Sequence, residues 1–89
     1  AKEFMLLYAP LMNYKAYIII DKYYTNSSDL YLASIMARLI HQLFPKNLSY
    51  HDTYLWSEVR NNRYDKALEQ YPNLLIATSY SKDVQAHYD

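Results

Sequence analysis

The sequence contains neither glycine nor cysteine in 89 residues. An average protein has about 7% glycine, and glycine allows the left-handed turns and close backbone approaches on which phosphate-binding loops depend. The absence of cysteine excludes disulfide bonds and thiolate chemistry. The three histidines lack metal-ligand spacing, and without cysteine a structural zinc site is not expected. We therefore predict neither a metal nor a cofactor.

The sequence also lacks a dominant charge and a long apolar run. Nine Lys and Arg balance nine Asp and Glu, so nothing attracts the whole chain to nucleic acid or to an anionic membrane. No apolar stretch approaches the roughly 20 residues of a membrane span, and no basic segment precedes an apolar one at the start. We expect a single cytoplasmic domain, residues 1–89, without membrane association.

Tyrosine is the residue type in excess, with 12 copies. Its rigid, amphipathic ring can stack on bases or anchor a protein interface. It can also fill a small core and its rim, which is the simpler interpretation.

The clearest periodicity lies between residues 29 and 44. One apolar stripe has helical spacing and consists of Leu32, Ile35, Met36, Leu39, Ile40 and Leu43. It predicts a helix whose stripe must be covered by another element. Asn26, Ser27 and Ser28 are candidate caps, Asp29 places a carboxylate in the first turn, and Pro45 prevents continuation.

The segment before this helix predicts a strand. Residues 17–21 include three consecutive isoleucines, and consecutive apolar residues are typical of a strand buried on both faces. Residues 25–29 would then form a polar turn. Residues 73–78 predict a second buried strand.

The remaining segments are shorter. Residues 2–8 favour a helix over an edge strand, ended by Pro10. Residues 48–52 predict a short strand, unless Ser49 caps a helix directly. Residues 54–60 and 64–71 predict two helices, the second ended by Pro72, and residues 82–88 a final helix or strand. This alternating order predicts an α/β fold, a small parallel sheet flanked by helices.

This order resembles the first half of the ATPase core of bacterial replication initiators and helicase loaders, of the AAA+ class. Residues 17–22 match the first strand, 23–30 the phosphate loop, 31–37 the following helix, and 44–50, 59–63 and 71–76 the elements up to the acidic strand. The resemblance covers about residues 3–79 and implies a P-loop-NTPase-like half domain.

The nucleotide-binding residues of that family are not present. Tyr23, Asn26 and Ser28 stand where the family has glycines, Asp29 replaces the phosphate-binding lysine, and Ala77 and Thr78 replace the magnesium-binding acidic pair. The resemblance therefore implies no nucleotide hydrolysis. A rival register over residues 9–15 keeps a lysine at G-x-x-x-x-G-K spacing, but it also lacks glycine and turns the isoleucine-rich strand into a helix.

A second architecture is an α+β winged helix. Residues 49–89 would form two short helices and a hairpin behind the long helix. One basic and amide-rich cluster would then contact nucleic acid, with a recognition helix over residues 63–70 and Lys82 on the wing. Its members are Arg60, Asn61, Asn62, Arg63, Lys66 and Gln70. Asp65 and Glu69 lie among them, so a solvated helix face is the simpler interpretation.

We predict no catalytic residues. His51 and Asp52 are adjacent, but no nucleophile motif accompanies them, and a helix-capping Asp beside a surface His explains the pair. Tyr54 and Trp56 could anchor a protein partner or close the core.

The leading functional expectation is a non-catalytic protein-interaction module, which could serve DNA replication or a mobile element. The alternatives are a small winged-helix nucleic-acid-binding protein and a small inhibitor or immunity-type protein that blocks a target with a tyrosine-rich face.

Overall fold

The computed structural model describes residues 2–22, 26–79 and 81–88, and these residues form five α-helices and no strand. The helices are α1 (Lys2–Asp21), α2 (Ser27–Leu43), α3 (Leu48–Arg60), α4 (Asp65–Ala77) and α5 (Lys82–Tyr88). The expected α/β fold with a parallel sheet is therefore wrong. The winged-helix alternative is wrong for the same reason, because its wing is a hairpin of strands.

Residues 17–21 form the last part of α1 and not a strand. The side of α1 that faces the core carries Met5, Ala9, Met12, Ala16 and Ile20, at helical spacing. Ile20 is buried while Ile18 is exposed, so the isoleucines are not covered on both faces as a central strand would be. A short apolar run is ambiguous between strand and helix, and here the period of the preceding residues decides.

Pro10 and Pro72 lie inside α1 and α4 instead of ending them. A proline within a helix removes the hydrogen bond to the carbonyl four residues earlier, which belongs to Leu6 in α1 and to Leu68 in α4. All four residues are exposed, so water can hydrogen-bond the freed carbonyls. The expectation that these prolines end their elements is wrong, because packing on both sides of each proline maintains the helix.

The two other predicted strands are also helical. Residues 48–52 open α3, and the side chain of Asn47, not Ser49, caps it by accepting from the Tyr50 backbone N–H at 3.0 Å. Residues 73–77 complete α4, where Leu74 and Leu75 are buried and Ile76 is exposed. That pattern fits a helix and not a strand buried on both faces.

Several predicted helices are confirmed. α2 begins behind Asn26, whose side chain accepts from the Asp29 backbone N–H at 2.9 Å, and it ends at Leu43, two residues before Pro45. The helix over residues 54–60 is the second half of α3, and the final segment is helical. Residues 23–25, which include the start of the expected phosphate loop, lie outside the described residues.

The core has two parts, joined by the central helix α3. Leu55 of α3 packs with buried residues of α4 and α5, among them Tyr71, Leu74 and Val84. On the other side, Ala16 and Ile20 of α1 pack with Ala33 of α2. Half-buried Trp56 lies against this second cluster. α3 is therefore surrounded by the other helices.

Because it is surrounded, α3 buries polar side chains. The hydroxyl of Ser57 donates to the Tyr54 carbonyl at 2.6 Å and that of Thr53 to the Ser49 carbonyl at 3.1 Å. Both groups are thus hydrogen-bonded within their own helix, which permits their burial.

Within the described ranges, two residues adopt the left-handed conformation that glycine most easily adopts. Asn62, after α3, has φ 62°, and Ser79, after α4, has φ 54°. Asparagine tolerates this region well and serine less so. The predicted break at residues 61–62 is confirmed.

Candidate interaction surface

α1 carries a second apolar face, opposite the core. We call its five residues the outer stripe: Phe4, Leu7, Leu11, Tyr14 and Ile18. Their side chains are 37% to 78% exposed. α1 is therefore apolar on both sides, and the other four helices of the described chain cover one side only.

The outer stripe has the spacing of a coiled-coil seam. Its members are separated by three, four, three and four residues, which is the a/d repeat that keeps one seam facing a partner helix. No charged residue interrupts it between Phe4 and Ile18. The nearest exposed charges, Glu3 and Lys15, lie beside the seam.

α2 adds a shorter exposed row, Leu32, Ile35 and Leu39, which are 40% to 49% exposed. These three belong to the stripe that the sequence predicted would be covered. Ile40 of that stripe is buried as expected, and Ala33, Ser34 and Ala37 are buried beside it. The predicted helix is confirmed, but the small residues of α2 face the core and half of its large apolar residues do not.

Exposed apolar residues are concentrated on these two helices. Eleven of the fifteen large apolar side chains exposed among the described residues belong to α1 or α2. The accessible surface is 5960 Å², whereas a monomer of 10.7 kDa typically has about 5500 Å². Scattered exposed apolar residues are normal, but a contiguous row is typical of an interaction site.

The basic cluster does not form a free cationic face. Arg63 donates two hydrogen bonds to the buried carboxylate of Glu58, at 2.8 and 3.0 Å. Arg60 donates from Nη2 to the Lys22 carbonyl at 3.0 Å. The Arg60 contact links α3 to the residue that follows α1, and the Arg63 contact links the connection after α3 back to α3.

The other members of the predicted nucleic-acid site are separated. The Gln70 side-chain oxygen lies 2.6 Å from Nε2 of His51. Lys66 is exposed on α4, and Lys82 is exposed at the first residue of α5. Arg60 and Arg63 thus make separate contacts near the end of α3, and Gln70, Lys66 and Lys82 lie elsewhere.

Tyr54 and Trp56, the predicted partner anchors, lie half-buried on α3. The Tyr54 ring stacks on His41, with centroids 4.9 Å apart, and Trp56 stacks on His87 at 4.8 Å. The indole nitrogen of Trp56 is buried and has no hydrogen-bond partner among the described residues. Both rings therefore pack against side chains of the same domain.

A buried polar network joins α1, α3, α4 and α5. Nδ1 of His87 lies 3.0 Å from both carboxylate oxygens of Asp52, and the Tyr71 hydroxyl donates to Oδ1 of Asp52 at 2.8 Å. The Tyr17 hydroxyl lies 3.2 Å from Nε2 of His87. With a proton on Nδ1, Nε2 can accept from Tyr17.

The ionisation of this network favours a structural role. Burial, followed by the charges of Asp21, Asp83 and Asp52, raises the pKa of Tyr17. Burial and the Asp52 carboxylate likewise raise the pKa of Tyr71. Both phenols stay protonated at neutral pH, so they act as hydrogen-bond donors and not as nucleophiles. No local sequence signal indicated this network, because Asp52 and His87 are 35 positions apart.

An apolar groove of about 290 Å³ lies between α3, α4 and α5. Trp56, Leu68, Tyr71 and His87 are among its lining residues. Tyr71 and His87 use their polar atoms within the network of Asp52, whereas the indole nitrogen of Trp56 has no hydrogen-bond partner among the described residues; the rest of the lining is mainly apolar.

The described residues contain no group of three or more His, Asp or Glu side chains that could hold a metal ion. Within the same residues, none of the helices has the length and apolar character needed to cross a membrane. Comparisons with protein-family models, with curated proteins and with solved structures find no match.

Proposed function

We propose that this chain is a protein-interaction module that binds its partner through the outer stripe of α1. The observation that carries the proposal is the uninterrupted row of five exposed apolar residues on a helix whose other face is already packed. A helix that is apolar all round is normally buried on all sides. The exposed row of α2 extends the apolar surface available to a partner.

Two properties of the surface favour a protein over a charged ligand. The chain has no net charge, so it exerts no general attraction on phosphate-rich partners. Aromatic residues are enriched in protein interfaces, and Phe4 and Tyr14 lie in the outer stripe. The suggested link to DNA replication came from the resemblance alone and is not part of this proposal.

Site-specific photo-cross-linking in cells that express the chain tests this function. A benzophenone amino acid replaces Tyr14 in the outer stripe, or Tyr64 before α4 as the matched control. Both tyrosines are exposed, at 63% and 50%. We expect a covalent adduct from position 14 and none from position 64. No adduct from position 14, or equal adducts from both positions, would contradict the proposal.

A further inference from the structure

The outer stripe of α1 fits a partner helix that has the same a/d repeat. A strict a/d row is complementary to another a/d row, because each side chain inserts between four residues of the facing helix. Among the described residues, the outer stripe of α1 is the exposed row that continues through four successive a/d steps, which make two heptads. A second α1 has the same length, the same spacing and the same exposed faces.

We propose that the partner of the outer stripe is a second copy of this chain, with the two α1 helices packed antiparallel. This inference rests on the proposed function. A two-fold axis then passes near Leu11, the middle residue of the stripe. Such an interface uses the same surface of both copies and closes on itself, as in most homodimers.

The exposed area of the outer stripe reaches the lower limit for a specific pair. Side chains of this size each expose on the order of 100 Å² at the observed fractions, which gives about 500 Å² per copy. Two copies would together remove on the order of 1,000 Å² from water, the size at which specific interfaces begin. The neighbouring Tyr8 and the exposed row of α2 can add to this area.

Charge permits self-association and favours the antiparallel direction. A chain with nine positive and nine negative side chains does not repel its own copy. In a parallel pair, Asp21 at the next seam position would face Asp21 of the other copy, and like charges repel. An antiparallel pair separates these carboxylates, places Lys15 near the Tyr8 ring of the other copy, and opposes the two helix dipoles.

Sedimentation equilibrium of the purified chain, from micromolar to submillimolar concentration, is the first test. We expect the mass to rise from that of the 10.7 kDa chain towards twice that value. Leu11→Glu should weaken the dimer by at least about a hundredfold, because pairing would bury two unpaired carboxylates. Leu7→Glu, at a still more exposed position, should act in the same direction.

Ile76→Glu is the matched control, since Ile76 is 64% exposed on α4 and away from α1. It should leave the dimer unchanged, and circular dichroism should show equal helix content in all variants. A wild-type chain that stays monomeric overturns the proposal. So does a dimer that survives both α1 substitutions or is broken equally by Ile76→Glu.

Orientation is measured with a nitroxide attached at Glu3→Cys, which the cysteine-free chain allows. Antiparallel helices place the two labels about 20 Å or more apart, from the rise of 1.5 Å per residue, and parallel helices about 10 Å. The shorter distance would overturn the antiparallel arrangement.

The cross-linking experiment separates the two proposals. An adduct from position 14 with the mass of two copies supports the second copy as partner. An adduct of any other mass supports the protein-interaction function but overturns the proposal of self-association. No adduct overturns both.

Discussion

Nδ1 of His87 lies 3.0 Å from each carboxylate oxygen of Asp52, and this contact fastens α5 to the central helix α3. α5 has only seven residues, and so short a helix is not stable by itself. Its position depends on Val84 in the core and on His87.

Asp52→Asn should therefore destabilise the domain. The amide keeps the shape of the side chain but removes the negative charge that strengthens the hydrogen bonds with His87 and Tyr71. We therefore expect the free energy of unfolding to fall by about 1–3 kcal/mol. Urea unfolding followed by the fluorescence of Trp56, which stacks on His87, measures the change. Glu69→Gln, an exposed carboxylate-to-amide change on α4, is the control and should shift the free energy of unfolding by less than about 0.5 kcal/mol. Equal stability of the two variants would show that the buried contact contributes nothing.

Glu58→Gln should lower stability at neutral pH but not in acid. The hydrogen bonds from Arg63 lower the pKa of Glu58 below its ordinary 4.5. A carboxyl whose folded pKa is depressed adds stability above the unfolded pKa, and this stability is lost as pH falls through the folded value. We expect the free energy of unfolding at pH 7 to be about 1–2 kcal/mol lower in Glu58→Gln than in the wild type. The effect is no larger because Arg63 is partly exposed to solvent.

Unfolding free energies at neutral pH and below the folded pKa of Glu58 measure this effect, and the two proteins should converge in acid. Glu69→Gln, exposed on α4, is the control, and its free energy of unfolding at neutral pH should differ much less from that of the wild type. A Glu58→Gln difference that is independent of pH would contradict the assigned ionisation.

His41→Gln should reduce the pH dependence of stability below neutrality. Burial and the neighbouring His51 lower the pKa of His41 from 6.5. His41 therefore binds a proton more readily in the unfolded chain than in the folded one. The stability of the wild type is highest above about pH 6.5 in this respect and falls at lower pH. The slope of unfolding free energy between neutral pH and about pH 5 should be smaller in His41→Gln. Gln42→Ala, an exposed change next to it, should keep the wild-type slope, and an unchanged slope in both would refute the expectation.

Ser79→Gly should stabilise the domain. Ser79 follows α4 with φ 54°, a conformation that a Cβ atom disfavours by about 1–2 kcal/mol. Glycine removes that cost but increases the freedom of the unfolded chain, so we expect a net gain of about 0.5–1 kcal/mol in thermal or urea unfolding. Ser79→Ala retains the Cβ atom and should give no gain. Loss of stability in Ser79→Gly would mean that the serine side chain holds this turn.

The sequence predicted the helices that have local signals. Asn26 and Pro45 bracket α2, and residues 61–62 end α3. The three isoleucines of α1 carried no such signal, because an apolar run fits a strand and a buried helix equally. The prediction also ended the first element at Pro10. The regular spacing of the outer stripe, which continues on both sides of Pro10, was therefore missed.

The candidate surface was visible in the sequence only in part. Leu32, Ile35 and Leu39 stood out by periodicity, but periodicity does not show which side of a helix meets the core. Ala33 and Ala37 occupy that side, because small residues let α1 and α2 approach closely. Tyr54 and Trp56 stood out by residue type, yet their rings stack on histidines from distant segments.

Ala16 and Ala33, both fully buried, set the separation of α1 and α2. Any larger residue there would push the helices apart, so mutation is restricted on this side of α1 by volume. The opposite side of the same helix makes no contact that sets this separation. Evolution could therefore change the specificity of the outer stripe, one residue at a time, without altering the packing that keeps the domain folded.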